Sequence, residues 1–404
     1  MHRLSSSLRQ RSALETIKIA EAIAPSLGIT RVTDTTWLDR IGIPVYASIR
    51  PAAKSGSLCV NAGKGLIEEE AKIGAYMEAI EFSLAEYGNS PIVALKSTPT
   101  QLVESHTGKV DFVDFCVNYG LKANPEKLLM VVEAEELVNG GTALVPAGLV
   151  FIPYTQNQGQ KLFGQSSNGL ASGNDLLEAS VHGLCELIER DIQAFDMIEN
   201  TSNFLEIDTF SQAIENLISK IKNAELDIVV RHTDNFFGLP YFQAFIMEAF
   251  PGAPISIATG TGCHPIKEVA LIRAISEAAQ SRLSHIHGGR DDIIQRVEYF
   301  KRAGRNKEIE AINLLRQKAH DQSNTIKYST IKDHEKNITS LADAWRILAT
   351  AVKKVGVKSI LRVTLTQPND LIQVVRIIAP KLESFDKDLK RIGPRLLKYA
   401  KNKL

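Results

Sequence analysis

One signature recurs three times along this 404-residue chain and constrains its fold more than any other feature. Ala71 is followed by Glu78 and Glu81, Ala179 by Glu186 and Glu189, and Ala270 by Glu277 and Gln280, giving A-x6-E-x2-[E/Q] each time. Such spacings place the side chains on a shared helical face. Each copy follows glycines and an apolar, β-rich stretch: IGIPVYASIRP with SLCVNA, then ALVPAGLVFIP, then PYFQAFIMEAF. The expected unit is strand, glycine-rich turn, helix, three times over. A helix over about 13–27, strands at ILRVTL and IQVVRIIAP, and a charged helical excursion over about 291–337 complete an α+β chain with mixed sheets.

The second copy shows what its helix offers. At about 100° per residue, with Glu178 set to zero, Glu189 falls near 20°, Glu186 near 80° and Asn174 near −40°. Val181, Leu177, Ile188 and Leu184 cluster on the neighbouring face, between about −60° and −120°. A carboxylate stripe on one helix is ordinarily a solvated face. Three copies in fixed alanine register, each after glycines, exceed what a solvated face requires. Glutamates crowded at an apolar boundary call for positive charge among them. Magnesium suits the ligand type, being a hard cation that takes carboxylate oxygens and leaves room for water and phosphate.

The glycines at Gly63-Lys64-Gly65, Gly169 to Gly173 and Gly260-Thr261-Gly262 could bring backbone amides to phosphate oxygens at helix starts, or could be plain turns. GKG is not a Walker loop, because G-x-x-x-x-G-K-[ST] is absent. With 47 basic and 46 acidic residues the chain lacks a whole-molecule field for collecting nucleic acid or an anionic membrane. Cys59, Cys116, Cys185 and Cys263 form no C-x-x-C pair, and reduced thiols are expected. No signal peptide or membrane span is apparent, so a cytoplasmic location is expected.

Three blocks, AGKGLIEEEAKIGAYMEAIE, SNGLASGNDLLEASVHGLCELIERD and GTGCHPIKEVALIRAISEAAQSRLSHIHGGRDD, together resemble the YcaO family. An opening R-x-x-x-x-x-x-T, Arg9 to Thr16, is similar as well. The resemblance implies an ATP-binding fold unrelated to Walker proteins, with three glutamate-bearing helices around a Mg-ATP site. It also implies a single interwoven catalytic domain over 56–404, preceded by a helix–strand segment over 1–55 that contributes to the nucleotide site. Carried over by motif, Glu78, Glu81, Glu178, Glu186 and Glu189 are magnesium ligands or their immediate support. Asn174, Arg190, Arg273 and Glu277 are nucleotide contacts, together with Arg9 and Thr16. Glu186, Glu189 and Arg190 are expected at the reacting centre. Lys64 is added as a nucleotide contact from its place between glycines.

The implied chemistry is ATP-dependent activation of a peptide backbone amide. Phosphoryl transfer turns the amide oxygen into a leaving group; a side-chain nucleophile then gives an azoline, and external sulfide gives a thioamide. Azoline-forming members commonly end in a proline-rich tail, whereas this sequence ends in KRIGPRLLKYAKNKL with Gly393-Pro394 as a helix-interrupting turn. Together with VVRIIAPKLE, that ending resembles members that work with a TfuA partner. A peptide substrate, a TfuA-type or leader-binding partner, and a homodimer are the expected associations, with no nucleic acid and no membrane. A magnesium-dependent phosphohydrolase and a non-catalytic nucleotide- or peptide-binding scaffold are the readings outside this chemistry. His285 and His287 suit a helix end, His182 a hydrogen-bonded neighbour or a catalyst, Cys185 and Cys263 packing, and Arg290, Asp291 and Asp292 a capping role.

Overall fold

In the computed structural model the chain is described over residues 1–250, 252–253, 255–385 and 390–403, leaving aside the side chains of residues 292, 295 and 296. It divides into two units, each discontinuous in sequence. One comprises Met1–Ala53, Leu58–Ala79 and Thr201–Ile338; the other comprises Lys54–Ser57, Ile80–Asn200 and Thr339–Leu404.

The first unit contains an antiparallel sheet of Arg31–Asp34, Val45–Ile49 and Val60–Lys64, in that order. Its larger sheet runs Ile257–Cys263, Tyr241–Met247, Asp227–His232, Asn203–Glu206 and Thr325–Lys327. Neighbours are antiparallel except Thr325–Lys327, which joins in parallel. The two-residue alternation of strands sorts its faces. Phe242, Ala244 and Ile246 pack with Ala270, Ala274 and Ala278 of the helix Lys267–His287. Their neighbours Phe245 and Met247 join Val229 and Ala319 of the helix Arg305–His320 in a second cluster. The charged excursion thus contains two helices, Asp291–Ala303 and Arg305–His320.

In the second unit the sheet order is Leu95–Ser97, Leu129–Glu136, Leu361–Thr364, Gln373–Ile378 and Leu170–Gly173, with Thr142–Pro146 also paired to Leu129–Glu136. The helix Leu176–Ile198 packs on Leu170–Gly173 and Gln373–Ile378. The expected interruption at Gly393-Pro394 is instead a helix start: Gly393 is the N-cap and Pro394 opens the helix Pro394–Lys401. Proline suits the first helical position because the amide it lacks would have no partner there.

The expected strand–turn–helix repeat is present with a different assignment. The strand entering the second helix is the short Leu170–Gly173, and the one entering the third is Ile257–Cys263. ALVPAGLVFIP gives Thr142–Pro146 and a 3-10 turn, and PYFQAFIMEAF gives Tyr241–Met247. The glycines, moreover, are strand residues more than turn residues. A Cβ on Gly63 would stand 2.1 Å from the Ala71 oxygen, one on Gly173 2.5 Å from the Ala179 nitrogen, and one on Gly262 2.1 Å from the Ala270 oxygen. Ala71, Ala179 and Ala270 are the alanines of the signature. Glycine and alanine therefore form a seat where each strand meets its own helix at backbone contact. The phosphate-cradle expectation for Gly63, Gly173, Gly260 and Gly262 gives way to this packing role.

Candidate functional site

Each glycine strand is an edge strand: Val60–Lys64, Leu170–Gly173 and Ile257–Cys263 each end the order of their sheet. An edge leaves backbone groups without a neighbouring strand. In the first unit the signature side chains meet these groups at the residue before the seat glycine, and in the second unit they meet that residue's side chain.

In the first unit, Ala62 donates its N–H to Glu78 at 2.8 Å and accepts from Gln280 at 2.5 Å. Thr261, in the matching position, approaches Glu277 through both N–H and hydroxyl at 3.5 Å. Glu277 also pairs with the Lys64 ammonium at 2.8 Å, and the same ammonium reaches Gln280 at 3.2 Å. Lys64, the last residue of its strand, turns toward the third helix, which is how Lys64 and Glu277 come together. Arg273 donates to the Ser6 carbonyl at 3.4 Å, and its buried Nε has no partner among the described residues. Arg9 binds the Ser7 hydroxyl at 3.0 Å, and Thr16, buried, donates to the Ser12 carbonyl at 3.0 Å.

In the second unit, Ser172 takes the position before the seat glycine and donates to Glu81. Asp175, rather than Asn174, caps the Leu176–Ile198 helix by accepting the Glu178 N–H at 2.7 Å. Asn174 donates its amide to both Glu178 oxygens, at 3.2 and 3.1 Å. Glu178 and Glu189 are only 2% and 4% exposed, so the solvated-face reading fails for this helix. Glu186 is more open, with Arg190 one turn on at 3.8 Å; Arg190 also donates to Gln193 at 3.0 Å.

Arg376 was not singled out in sequence, although a lone arginine within the apolar run IQVVRIIAP is a visible signal. Fully buried, it donates to the carbonyls of Val150, Ser166 and Asn168 and so ties down the loop that leads into Leu170–Gly173. Burial pushes its guanidinium down to about 10, and the negative charges of Glu186 and Glu81 act against that shift. Asp175 and Ser172 are further polar residues of the second unit that motif spacing did not mark.

Burying carboxylates costs several kcal/mol each unless charge or hydrogen bonds answer it. Among the described residues no three Asp, Glu, His or Cys side chains close on one point as a preformed metal cage would. Separate hard oxygen donors of this kind match magnesium, which keeps water and phosphate in its shell. The orphaned Arg273 Nε matches an anion. Both observations fit a Mg-nucleotide.

A family model described as YcaO cyclodehydratase, ATP- and Mg2+-binding, matches residues 62–383. The chain belongs to the YcaO family. It is 32% identical over 398 residues to an uncharacterized protein of Methanothermobacter thermautotrophicus, covering 95% of this chain and 97% of that one. An uncharacterized protein in the tfuA 3' region of Rhizobium leguminosarum bv. trifolii is 32% identical over 384 residues, covering 90% and 86%. A YcaO from Methanopyrus kandleri, solved with AMPPCP and Mg2+, shares the fold with TM-score 0.75 and 21% identity, over 96% of each chain. This YcaO enzyme thus has ATP and Mg2+ as its cofactors.

The histidines and the acidic pair marked near the third helix end make the following contacts. His285 bonds the Ser281 carbonyl at 2.8 Å and His287 accepts the Gly289 N–H at 3.3 Å, both at the helix end. Cys185 and Cys263 are buried and form no disulfide among the described residues. Asp291 accepts the N–H of Cys59 at 2.9 Å; the Asp292 side chain lies outside the described residues. No helix among the described residues is long and apolar enough to cross a membrane.

Proposed function

We propose that this YcaO enzyme activates a backbone amide of a peptide or protein by ATP-dependent phosphorylation of the amide oxygen, and that sulfide then displaces phosphate to give a thioamide. The observation that carries the reading is the buried pair Glu178 and Glu189 on one helix, with Asn174 holding Glu178. Buried oxygen ligands and a held amide suit a Mg-nucleotide better than a water-exposed surface. Glu78, Glu81, Glu178, Glu186 and Glu189 would hold or support Mg2+. Arg9, Thr16, Lys64, Asn174, Arg190, Arg273 and Glu277 would contact the nucleotide. When bound, the metal supplies charge neutralisation for the transferring phosphoryl group. Among this chain's residues, Arg190 would stabilise charge at the reacting centre, while Glu186 orients Arg190 and Glu189 supports the metal.

The sulfide acceptor and a TfuA-type partner are supported by the Rhizobium relative encoded in a tfuA 3' region. The family description as a cyclodehydratase favours a second reading, attack by a neighbouring Cys, Ser or Thr side chain to close an azoline. ATP binding can be tested first, by calorimetry with and without Mg2+ for wild type and Glu189→Gln. Magnesium-dependent binding that the variant loses is expected; no binding by well-folded wild type sinks the proposal. Mass spectrometry of a peptide incubated with enzyme, TfuA-type partner, ATP and sulfide then separates exchange of oxygen for sulfur from loss of water.

A further inference from the structure

The helix Pro394–Lys401 lies along the end of the glutamate helix Leu176–Ile198, and two matched stripes join them. Asp191, Phe195 and Glu199 recur at four-residue spacing on one side, and Arg395, Tyr399 and Lys403 at the same spacing on the other. Arg395 donates to the two Asp191 oxygens at 2.5 and 3.4 Å and sets its guanidinium 5.2 Å from the centre of the Phe195 ring. Tyr399 meets that ring edge-on, with centroids 5.2 Å apart, and donates its hydroxyl to Glu199 at 2.6 Å. Lys403 pairs with Glu199 at 2.8 Å. Because the contacts run in the same order along both stripes, the two helices lie parallel and in one register.

The head of this zipper closes on Asp191, whose exposure is 0%. Asp191 accepts the Glu383 N–H at 2.7 Å. Glu383 in turn caps the terminal helix, accepting the N–H groups of Gly393 at 2.6 Å and Leu396 at 2.9 Å. Arg395 stands in the first turn of its helix, where the helix dipole disfavours a cation, so its placement answers Asp191 rather than its own helix. Burial raises the Asp191 carboxyl to about 6, and the Arg395 charge opposes that shift. For stability alone, apolar side chains of similar volume often serve as well as a buried ion pair; what the pair adds is a fixed geometry.

With Glu178 at zero on the helical wheel, Asp191 and Phe195 fall at about −140° and −100°, away from Glu186 at about 80° and Arg190 at about 120°. The zipper therefore grips the helix from behind, at the residues that directly follow Glu189 and Arg190.

We propose that Asp191 and Arg395 are positioning residues, whose ion pair locks the end of the glutamate helix so that Glu189 and Arg190 meet Mg-ATP in one fixed geometry. The inference rests on the placement of Glu189 and Arg190 at the Mg-nucleotide site.

Calorimetric titration of ATP into the full-length protein, with and without Mg2+, tests it. Arg395→Gln and Asp191→Asn each remove one charge and retain hydrogen-bonding groups. Each should weaken magnesium-dependent binding about tenfold, a usual effect for a residue that supports metal ligands. Arg395→Lys should recover most of the loss, and the double variant should bind no worse than either single one, because the two residues act as a unit. Val145→Ala is the control for stability: Val145 is fully buried on Thr142–Pro146, which pairs with Leu129–Glu136. It should lower the melting temperature and leave Mg-ATP affinity unchanged. Thermal melts establish that each variant is folded, and Asp191→Asn carries the test if Arg395→Gln is not. Variants of the pair that lose stability yet bind Mg-ATP as Val145→Ala does would overturn the proposal. Glu189→Gln, measured alongside, separates the two readings. Binding lost there but kept in Asp191→Asn and Arg395→Gln sinks the positioning role alone; full binding in Glu189→Gln removes the site on which that role rests.

Discussion

Lys64 forms an ion pair with Glu277 at 2.8 Å, joining the end of the first glycine strand to the third signature helix. Both side chains are partly exposed, at 18% and 27%, so the pair's contribution to stability is small. Its value would lie in holding Glu277 against the edge strand at Thr261.

Replacing Lys64 with methionine keeps the chain length and removes the charge. The expected change in unfolding free energy is about 1 kcal/mol or less, as for other partly exposed pairs. Affinity for Mg-ATP should fall about tenfold, the size of one lost charged contact of ~1.4 kcal/mol. Calorimetry beside denaturant unfolding reads both; full ATP affinity in the variant would remove Lys64 from the nucleotide contacts.

Glu189 is 4% exposed, and a buried carboxylate trades stability for a function that needs its charge. Glu189→Gln should therefore melt no lower than wild type without nucleotide, and higher if desolvation dominates. The same variant should lose magnesium-dependent ATP binding. A lower melting temperature with unchanged ATP affinity would instead make Glu189 a structural residue.

The carboxylate face of Leu176–Ile198 was legible because 3.6-residue periodicity is a local property, and the spacing of Glu178, Glu186 and Glu189 expresses it directly. The burial of that face was not legible, since it depends on what packs over the helix. Leu170–Gly173 escaped detection for a different reason. Its sequence, LASG, has neither length nor β-branched residues, and it is a strand because Gln373–Ile378 pairs with it in register. Gly63 and Gly262 look like turn residues in sequence, yet what they accommodate is a helix backbone several residues further on.

That seat makes a sharp stability prediction. Gly63→Ala or Gly262→Ala would place a methyl 2.1 Å from a helix carbonyl oxygen, and backbone cannot move aside as a flexible side chain can. Overpacking of this kind costs about 1–3 kcal/mol and occasionally more. Gly148→Ala, whose nearest neighbour would be 3.8 Å away, should cost well under 1 kcal/mol. Chemical denaturation of the three variants compares them; equal stabilities would mean that strand and helix can separate without loss.

His264, just past the third glycine strand, gives the chain an acid-sensitive limb. It is 5% exposed, and burial, then the Arg273 charge, pushes its imidazole down to about 3. Its Nδ1 also accepts the Ile266 N–H at 3.0 Å, which needs that nitrogen unprotonated. Because the folded state resists the proton while the unfolded chain takes it near pH 6.5, this contribution is complete above about pH 6.5 and is lost as the pH falls toward 3. The slope approaches ~1.4 kcal/mol per pH unit, or about 2 kcal/mol between pH 6.5 and 5. Asparagine can accept the N–H two residues ahead without titrating. His264→Asn should therefore flatten the acid limb by about that amount in urea unfolding at pH 7 and pH 5. An identical pH dependence in wild type and variant would place the acid sensitivity elsewhere.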